Sequence, residues 1–226
     1  MSPTELERAE QDARDRANFE AHGKLGPYFR ALIHVNPMEV LRATSVFSRN
    51  DSGRIVDGDW DLKTIRFHDS SKYRFCHRHF VEGLSWKDAG VDTHFLKRIA
   101  EGNIVDRLHT LDEVRARYAA LDALYESFRS GAPFKPVNSR RDWRGIRYRD
   151  GIYIHVNREG KPVFGCAGYH RLAIAQILGM ERIPAQLGVV HALALASGSW
   201  KGFDLTEAGG EARSQASGGT EDDAAG

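Results

Sequence analysis

The clearest periodic pattern in the chain lies between Leu111 and Arg129. Apolar side chains recur there at steps of three and four, the spacing that places them on one side of a helix. Thr110 stands directly before this run, and threonine is a favoured N-cap because its hydroxyl accepts a hydrogen bond from a first-turn amide. The pattern therefore predicts a long helix that packs through one face.

Four other segments are also predicted to be helical. Residues 4–22 are polar with a thin apolar stripe, so this N-terminal helix is expected to dock loosely. Residues 37–43 begin with a proline, which suits a first helical turn. Residues 73–82 end at a glycine, and residues 93–101 follow Asp92, which can cap them.

Strand patterns stand on both sides of this helical stretch. Residues 31–35 form a short apolar run before it. After it, residues 151–156 and 161–164 are β-type runs separated by the turn sequence Asn-Arg-Glu-Gly, which predicts a hairpin. Residues 183–191 form a final apolar run and predict the last strand.

The helix predicted over residues 169–178 differs from the others because it is apolar on nearly every side. Such a helix is buried all round. The sequence Gly-Cys-Ala-Gly before it breaks the second strand of the hairpin, and Gly179 suits its C-terminal end. The order of elements predicts an α+β fold with a small mixed sheet and a large helical excursion.

Composition places the 226-residue chain among ordinary globular proteins, with 41% hydrophobic and 28% charged residues. Its two cysteines form no CxxC pair, which excludes a disulfide-stapled scaffold and a cysteine-rich zinc module. The first residues lack the apolar core of a signal peptide, and no apolar run is long enough to span a bilayer. We therefore expect a cytoplasmic protein with no membrane partner.

Charge is distributed unevenly along the chain, although the net charge is only +1. Residues 206–226 carry five acidic side chains, one arginine and no aromatic or branched aliphatic residue, so we expect a disordered acidic tail. The predicted organisation is a polar N-terminal helix over residues 1–25, a single domain over residues 26–205, and this tail. Residues 135–161 are strongly basic, with eight basic and three acidic side chains.

The segment from Val163 to Ala185 is the most suggestive of chemistry. A strand runs into glycines, and these open the buried helix, whose first turn contains His170 and Arg171. Glycines let a backbone approach an anion closely, and a helix start attracts negative charge. Because a first-turn cation opposes the helix dipole, Arg171 is best explained by a phosphate or carboxylate beside it. The alternative is a tight turn with Arg171 paired to an acid elsewhere.

This segment resembles the ParB N-terminal and sulfiredoxin superfamily. Its members carry a Gly-x-His-Arg type sequence at a helix start, an alanine-rich helix, a Leu-Gly pair, and an Ile-Pro pair that begins the next strand. The matching residues here are Gly168, Tyr169, His170, Arg171, Ala173, Ala175, Leu178, Gly179, Ile183 and Pro184. The likeness covers residues 152–190 and, more weakly, residues 31–43, so residues 45–150 would be a helical insertion.

The resemblance implies that a nucleotide phosphate binds at this helix start. The binding residues would be Gly165, Gly168, Tyr169, His170 and Arg171. The superfamily includes sulfiredoxins, CTP-binding partition proteins, nucleases and nucleotide-dependent kinases of small molecules. We therefore expect a nucleotide such as ATP with Mg²⁺, and either phosphoryl transfer to a small molecule or nucleotide hydrolysis.

Two departures from the family pattern weaken a catalytic interpretation. Sulfiredoxins carry their reactive cysteine directly before His-Arg, where this chain has Tyr169, and Cys166 lies three residues too early, at a strand end where we expect it to be packed. Many kinase-like and nuclease-like members have an aspartate before the motif glycine, where this chain has Ala167. A non-catalytic binding scaffold therefore stays open.

Phosphoryl transfer needs a general base and neutralisation of the moving charge. Glu39 matches the region where the serine-kinase-like members carry their catalytic carboxylate, and His170 is the second catalytic candidate. Asp61, beside Trp60 in a glycine-rich loop, is the candidate magnesium ligand. These roles require the first strand to lie next to the strand that precedes the glycine turn, so that Glu39 and Asp61 face the phosphates.

Other site types also stay open. A nucleic-acid-binding or nuclease module would use an arginine run interleaved with aromatic residues, namely Arg140, Arg141, Arg144, Arg147 and Arg149. A zinc site is a weaker alternative, since Cys76 and His79 share a helical face, with His77 and His68 as possible further ligands. His155 and His191 lie on predicted strands and are expected to be satisfied histidines of the core or of its rim.

Deletion of residues 206–226 is predicted to change neither stability nor activity, because the tail has no apolar anchor. Urea unfolding of the full-length and shortened chains should give the same midpoint. If the acidic tail instead covers the arginine run, truncation will raise the affinity for polyanions at low salt, and the difference will vanish at high salt.

Overall fold

The computed structural model describes residues 2–102, 108–134 and 151–205. Of these described residues 49% are helical and 15% lie in strands, which confirms the α+β class and a small mixed sheet. The arginine run within residues 135–150 and the acidic tail over residues 206–226 lie outside the described residues.

Six α-helices are present in the described part of the chain: α1 (Pro3–His22), α2 (Ser71–Phe80), α3 (Val91–Ala100), α4 (Leu111–Arg129), α5 (Tyr169–Ile177) and α6 (Ala192–Ser197). Eight strands accompany them: β1 (Leu32–Val35), β2 (Arg42–Ala43), β3 (Ile55–Val56), β4 (Ile65–Arg66), β5 (Tyr153–Val156), β6 (Pro162–Phe164), β7 (Ile183–His191) and β8 (Asp204–Leu205). The predictions of α1, α4, α5, the hairpin β5–β6 and β7 are thereby confirmed to within two residues.

All eight strands belong to one mixed sheet. Seven of them follow the order β4-β2-β6-β5-β7-β1-β8, and β3 pairs parallel with the last residues of β7. The hairpin pairs β5 with β6 antiparallel, placing Ile154 opposite Phe164 and Val156 opposite Pro162. Strand β7 is central, since it pairs parallel with β5 and antiparallel with β1. Strands β3 and β4 come from residues 45–150, so this segment contributes to the sheet as well as to the helical layer.

The first strand, β1, was expected to lie next to β6, the strand that precedes the glycine turn, and this expectation was wrong. Strand β1 pairs with β7 and β8, and it is β2 that pairs with β6, through Arg42 opposite Val163. Residues 37–43 are correspondingly not one short helix. A single 3₁₀ turn over Pro37–Glu39 gives way to β2, because the edge of β6 offers backbone partners that a helix would forgo.

Helix α1 is held by polar contacts instead of by its thin apolar stripe. The Arg14 guanidinium donates to the carbonyls of Asn50 and Ser52, at 2.5 and 2.9 Å. Asn18 donates to the carbonyls of Pro27 and Gly53. The helix therefore satisfies backbone groups of two loops, which a pattern of apolar positions cannot reveal.

The start of α3 also differs from the prediction. Gly90, with φ of +103°, is the N-cap residue, and the helix begins at Val91. Asp92 lies inside the first turn, where its buried carboxylate accepts a 2.7 Å hydrogen bond from Arg115 of α4. Thr110, by contrast, caps α4 as predicted and forms a reciprocal capping box with Glu113.

Helix α5 lies between the sheet and the helical layer. Leu172, Ala173 and Ala175 belong to the core against the sheet, and Ile174 belongs to the core formed with α2, α3 and α4. All four side chains are fully buried. The expectation that this helix is buried all round is confirmed.

Gly168→Ala is predicted to destabilise the fold by about 2–4 kcal/mol, from strain at positive φ and overlap with a neighbouring strand. Its φ is +90°, and an added Cβ would lie 2.7 Å from Cα of Ile152. Gly179→Ala is the matched control, because its φ is +63° but nothing lies within 4 Å of an added Cβ. Gly179→Ala should cost about 1 kcal/mol in urea unfolding. Equal losses for the two variants would contradict the close approach at Gly168.

Candidate functional site

The turn before α5 is fixed by the hairpin. The amide of Gly165 donates to the carbonyl of Tyr153, and the amide of Tyr153 donates to the carbonyl of Ala167. Gly168 then takes the N-cap position in the left-handed region and provides no side-chain cap. A side chain at Gly165 would collide with the Tyr153 ring. The glycines therefore allow the turn to pack closely against β5. As predicted, they directly precede the start of the helix.

Tyr169 and His170 both point into the protein. The Tyr169 ring stacks on Phe67 at 5.8 Å between centroids, and Lys72 Nζ lies 5.2 Å from the centroid of Tyr169. The His170 ring packs edge-on against Tyr118 of α4, with Nε2 3.3 Å from the Tyr118 hydroxyl. His170 is buried, so it joins α5 to the helical layer. Its catalytic role stays a prediction, which this placement does not favour.

Arg171 is the half-buried cation of the first turn. Its guanidinium carbon lies 4.4 Å from the centroid of the Phe134 ring. Burial lowers the pKa of this guanidinium from its ordinary value, although it remains protonated at neutral pH. The start of α5 thus has a desolvated guanidinium on one side and Lys72 by its first residue.

Glu39 lies towards the other end of α5. The side chain of Gln176 donates to the carbonyls of Pro37 and Val40, at 2.7 and 3.1 Å, and so ties the turn that carries Glu39 to the C-terminal half of the helix. Gln176 is six residues beyond His170, which is about 9 Å along a helix axis. Glu39 itself is exposed. Its role as a general base stays a prediction.

Asp61 forms an ion pair with Arg158 in the turn of the hairpin. The Arg158 guanidinium lies 2.7 Å from Asp61 Oδ1 and also contacts the exposed Asp59. The Asp61 side chain is only 2% exposed. From this turn the second strand covers about 13 Å before it reaches Gly165. Asp61 therefore lies at the opposite end of the hairpin from the helix start.

The pKa of Asp61 reflects this pairing. Burial by itself raises the pKa of the carboxyl group, but hydrogen bonds and positive charge from Arg158, with a smaller contribution from His191, outweigh burial and hold the pKa below its ordinary value. Among the described residues, no group of three or more histidine, cysteine, aspartate or glutamate side chains is placed to hold a metal ion. The magnesium role of Asp61 consequently has no further ligands there.

The two cysteines have opposite environments. Cys76 is fully buried, and burial raises the pKa of its thiol to about 12, which does not suit metal binding. His79, its proposed partner, instead contacts the Leu84 carbonyl and Asp122. Cys166 is exposed in the turn before α5, contrary to the expectation of packing, because the chain leaves the sheet at Gly165.

The strand histidines are core residues, as expected. His155 is fully buried against Trp60 and Phe47, and burial lowers its pKa to about 3. Its Nδ1 accepts a 3.0 Å hydrogen bond from the amide of Val189. His191 is also buried, and its Nε2 lies 2.8 Å from the carbonyl of Gly58. Neither ring has the character of a ligand-facing group.

The arginine run proposed for nucleic acid lies within the undescribed residues 135–150. The described residues on either side of it both contact the start of α5. The Phe134 ring contacts the Arg171 guanidinium. The carbonyl oxygen of Gly151 lies 3.1 Å from the position that an added Cβ at Gly168 would take.

A basic surface on α2 and α3 was missed by the sequence analysis. Burial lowers the pKa of His94, and the positive charges of Arg98, Lys72 and Arg74 lower it further, so these three cations gather around one ring. His94 contacts Phe75 of α2 at 5.3 Å between ring centroids, which places α3 beside α2. Only the approach of the two helices brings these charges together.

Comparisons of this chain with protein-family models, with curated proteins and with solved structures find no match. None of the described helices is both long and apolar enough to cross a lipid bilayer.

Asp61→Asn is predicted to lower the free energy of unfolding by about 1–3 kcal/mol at pH 7, because Arg158 loses its buried charged partner. The pKa of Asp61 is lowered from 3.8, so its contribution is complete above that pH and is lost as the pH falls through the folded-state value. The difference between variant and wild type, measured by urea unfolding, should therefore shrink below about pH 4.

Asp59→Asn is the matched control, because Asp59 contacts the same arginine with a side chain that is 69% exposed. We expect a loss below about 1 kcal/mol. A pH-independent difference for Asp61→Asn would show that its ion pair does not supply the stability.

Proposed function

We propose that this protein binds a nucleotide or another phosphate-bearing small molecule at the start of α5, within a ParB/sulfiredoxin-like fold. What supports the fold is the consecutive order of hairpin, glycine turn, buried helix and long strand, which is the part of the chain that carries the sequence resemblance. The observation that carries the binding proposal is the Arg171 guanidinium in the first turn of a helix capped only by Gly168.

A cation at this position needs a physical reason. The N-terminal end of a helix carries partial positive charge, so a half-buried guanidinium there is electrostatically unfavourable. The Phe134 ring contributes a cation–π contact that stabilises it. A phosphate placed between Arg171 and the helix start would be attracted to both, and Lys72 adds a further positive charge beside Tyr169.

Binding has more support than catalysis. The proposed phosphotransferase needs a general base near the phosphate, whereas Glu39 is tied to the other end of α5 and His170 packs on Tyr118. Asp61 is paired with Arg158 at the far end of the hairpin. Phosphoryl transfer, Mg²⁺ and hydrolysis thus remain the finer part of the proposal, and a binding protein without its own chemistry is the form that the contacts favour.

Arg171→Ala is predicted to weaken nucleotide binding strongly while the chain stays folded. The test is a thermal-shift panel of ATP, CTP and inorganic phosphate, with and without Mg²⁺, since a ligand that binds only the folded state raises Tm. Charge-assisted hydrogen bonds contribute about 1.5–3 kcal/mol, so the variant should bind at least tenfold more weakly. Arg171→Lys, which keeps the charge and loses the planar fork, should be intermediate.

Cys166 supplies an internal reporter for the same site. It is exposed in the turn before α5, whereas Cys76 is buried, so a thiol reagent should react with one cysteine in the folded protein. A nucleotide at the helix start should slow that reaction in the wild type and leave it unchanged in Arg171→Ala. No shift in Tm with any nucleotide, or unchanged affinity in Arg171→Ala, would overturn the proposal.

A further inference from the structure

A cleft of about 370 Å³ lies along α2, apart from the start of α5. Its lining residues are His68, Tyr73, Arg74, His77, Arg78 and Glu82. This volume falls within the range of sites for small molecules. The lining contains two guanidinium groups and one carboxylate, that of Glu82. This carboxylate already contacts a partner, since its Oε1 lies 3.1 Å from His77 Nδ1. The cleft therefore presents excess positive charge.

The two arginines differ in how they are held. Arg78 donates a 3.0 Å hydrogen bond to the carbonyl of Ala89 and is fixed by it. Arg74 lies one helical turn earlier, on the same side of α2, and is exposed. An oxyanion that lies along this side of the helix can receive hydrogen bonds from both guanidinium groups.

The contact with Gln176 determines which ring nitrogen of His68 carries a hydrogen. Gln176 donates from its amide nitrogen to the carbonyls of Pro37 and Val40, so its oxygen must be the atom that faces His68. Because that oxygen only accepts, the His68 nitrogen that contacts it, Nε2 at 3.1 Å, carries the hydrogen. In the neutral imidazole the other ring nitrogen, Nδ1, is then a hydrogen-bond acceptor.

The ring of His68 is also held in place. It stacks on Tyr73 with 4.1 Å between centroids and 17° between planes. A ring fixed by a stack on one face and an amide at one edge has little freedom to turn its Nδ1 away. The cleft thus combines a rigid acceptor with two cationic donors.

We propose that this cleft is a second binding site, for a small molecule that carries an oxyanion group, phosphate or carboxylate, together with a hydroxyl or amine. The oxyanion binds Arg74 and Arg78, and the hydroxyl or amine donates to Nδ1 of His68. The site is independent of the helix start, since it uses the opposite half of α5, through Gln176, and none of the residues Gly165–Arg171.

The experiment is an NMR titration of the full chain with inorganic phosphate and, separately, acetate. Either anion should shift the signals of Arg74 and His68 in a saturable way, and the tighter of the two identifies the oxyanion. A long-range ¹H–¹⁵N spectrum should show His68 with hydrogen on Nε2. Arg74→Ala, which removes no contact that the fold relies on in the described residues, should weaken binding at least tenfold, as expected for a charge-assisted hydrogen bond.

Two variants make the result decisive. Arg98→Ala removes the same charge from the neighbouring α3 without lining the cleft and should leave the saturable shifts unchanged. Arg171→Ala, which weakens the site at α5, should also leave the saturable shifts of Arg74 and His68 unchanged, so failure here is distinct from failure of that site. Shifts that do not saturate, shifts confined to the start of α5, or an equal loss in Arg98→Ala would overturn the proposal.

Discussion

The burial of α5 on both sides is the constraint on which the other elements depend. Leu172, Ala173 and Ala175 face the sheet while Ile174 faces the helical layer, so neither layer is complete without this helix. A helix satisfies its own backbone hydrogen bonds, so it can lie between two layers at little polar cost. The first amides and last carbonyls of the helix have no partner within it, so neighbouring elements must satisfy them.

Both ends of α5 make contacts with specific neighbours. At the start, the left-handed Gly168 allows the chain to turn directly against Ile152, and His170 reaches Tyr118 of α4. Near the end, Gln176 satisfies the carbonyls of Pro37 and Val40. The same side chain orients His68, so the helix positions the proposed α5 site at one end and the α2 cleft at the other.

The polar contacts away from α5 have a different task, which is to fix loops that bury little apolar surface. Arg158 ties the hairpin turn to Asp61, and Arg14 and Asn18 tie α1 to the loops beside it. Each contact satisfies backbone or charged groups that would otherwise be costly to bury. Asp61, the candidate magnesium ligand by sequence, takes part in one of these structural contacts.

The sequence by itself determined the elements whose signals are local. The three-and-four spacing with Thr110 predicted α4, the turn at residues 157–160 predicted the hairpin, and the all-round apolar pattern predicted the burial of α5, since periodicity, capping and turn chemistry act within a few residues. The tertiary structure alone decided that β2 and not β1 lies beside β6, and that Asp92 binds Arg115 while Gly90 caps α3. It also decided that Asp61 pairs with Arg158. It also brought together Arg74, Lys72 and Arg98, and oriented His68 through Gln176. These relations join residues that are distant in the chain, and strand order, ion pairing and the approach of two helices are set by the packing of the whole core, which no local pattern records.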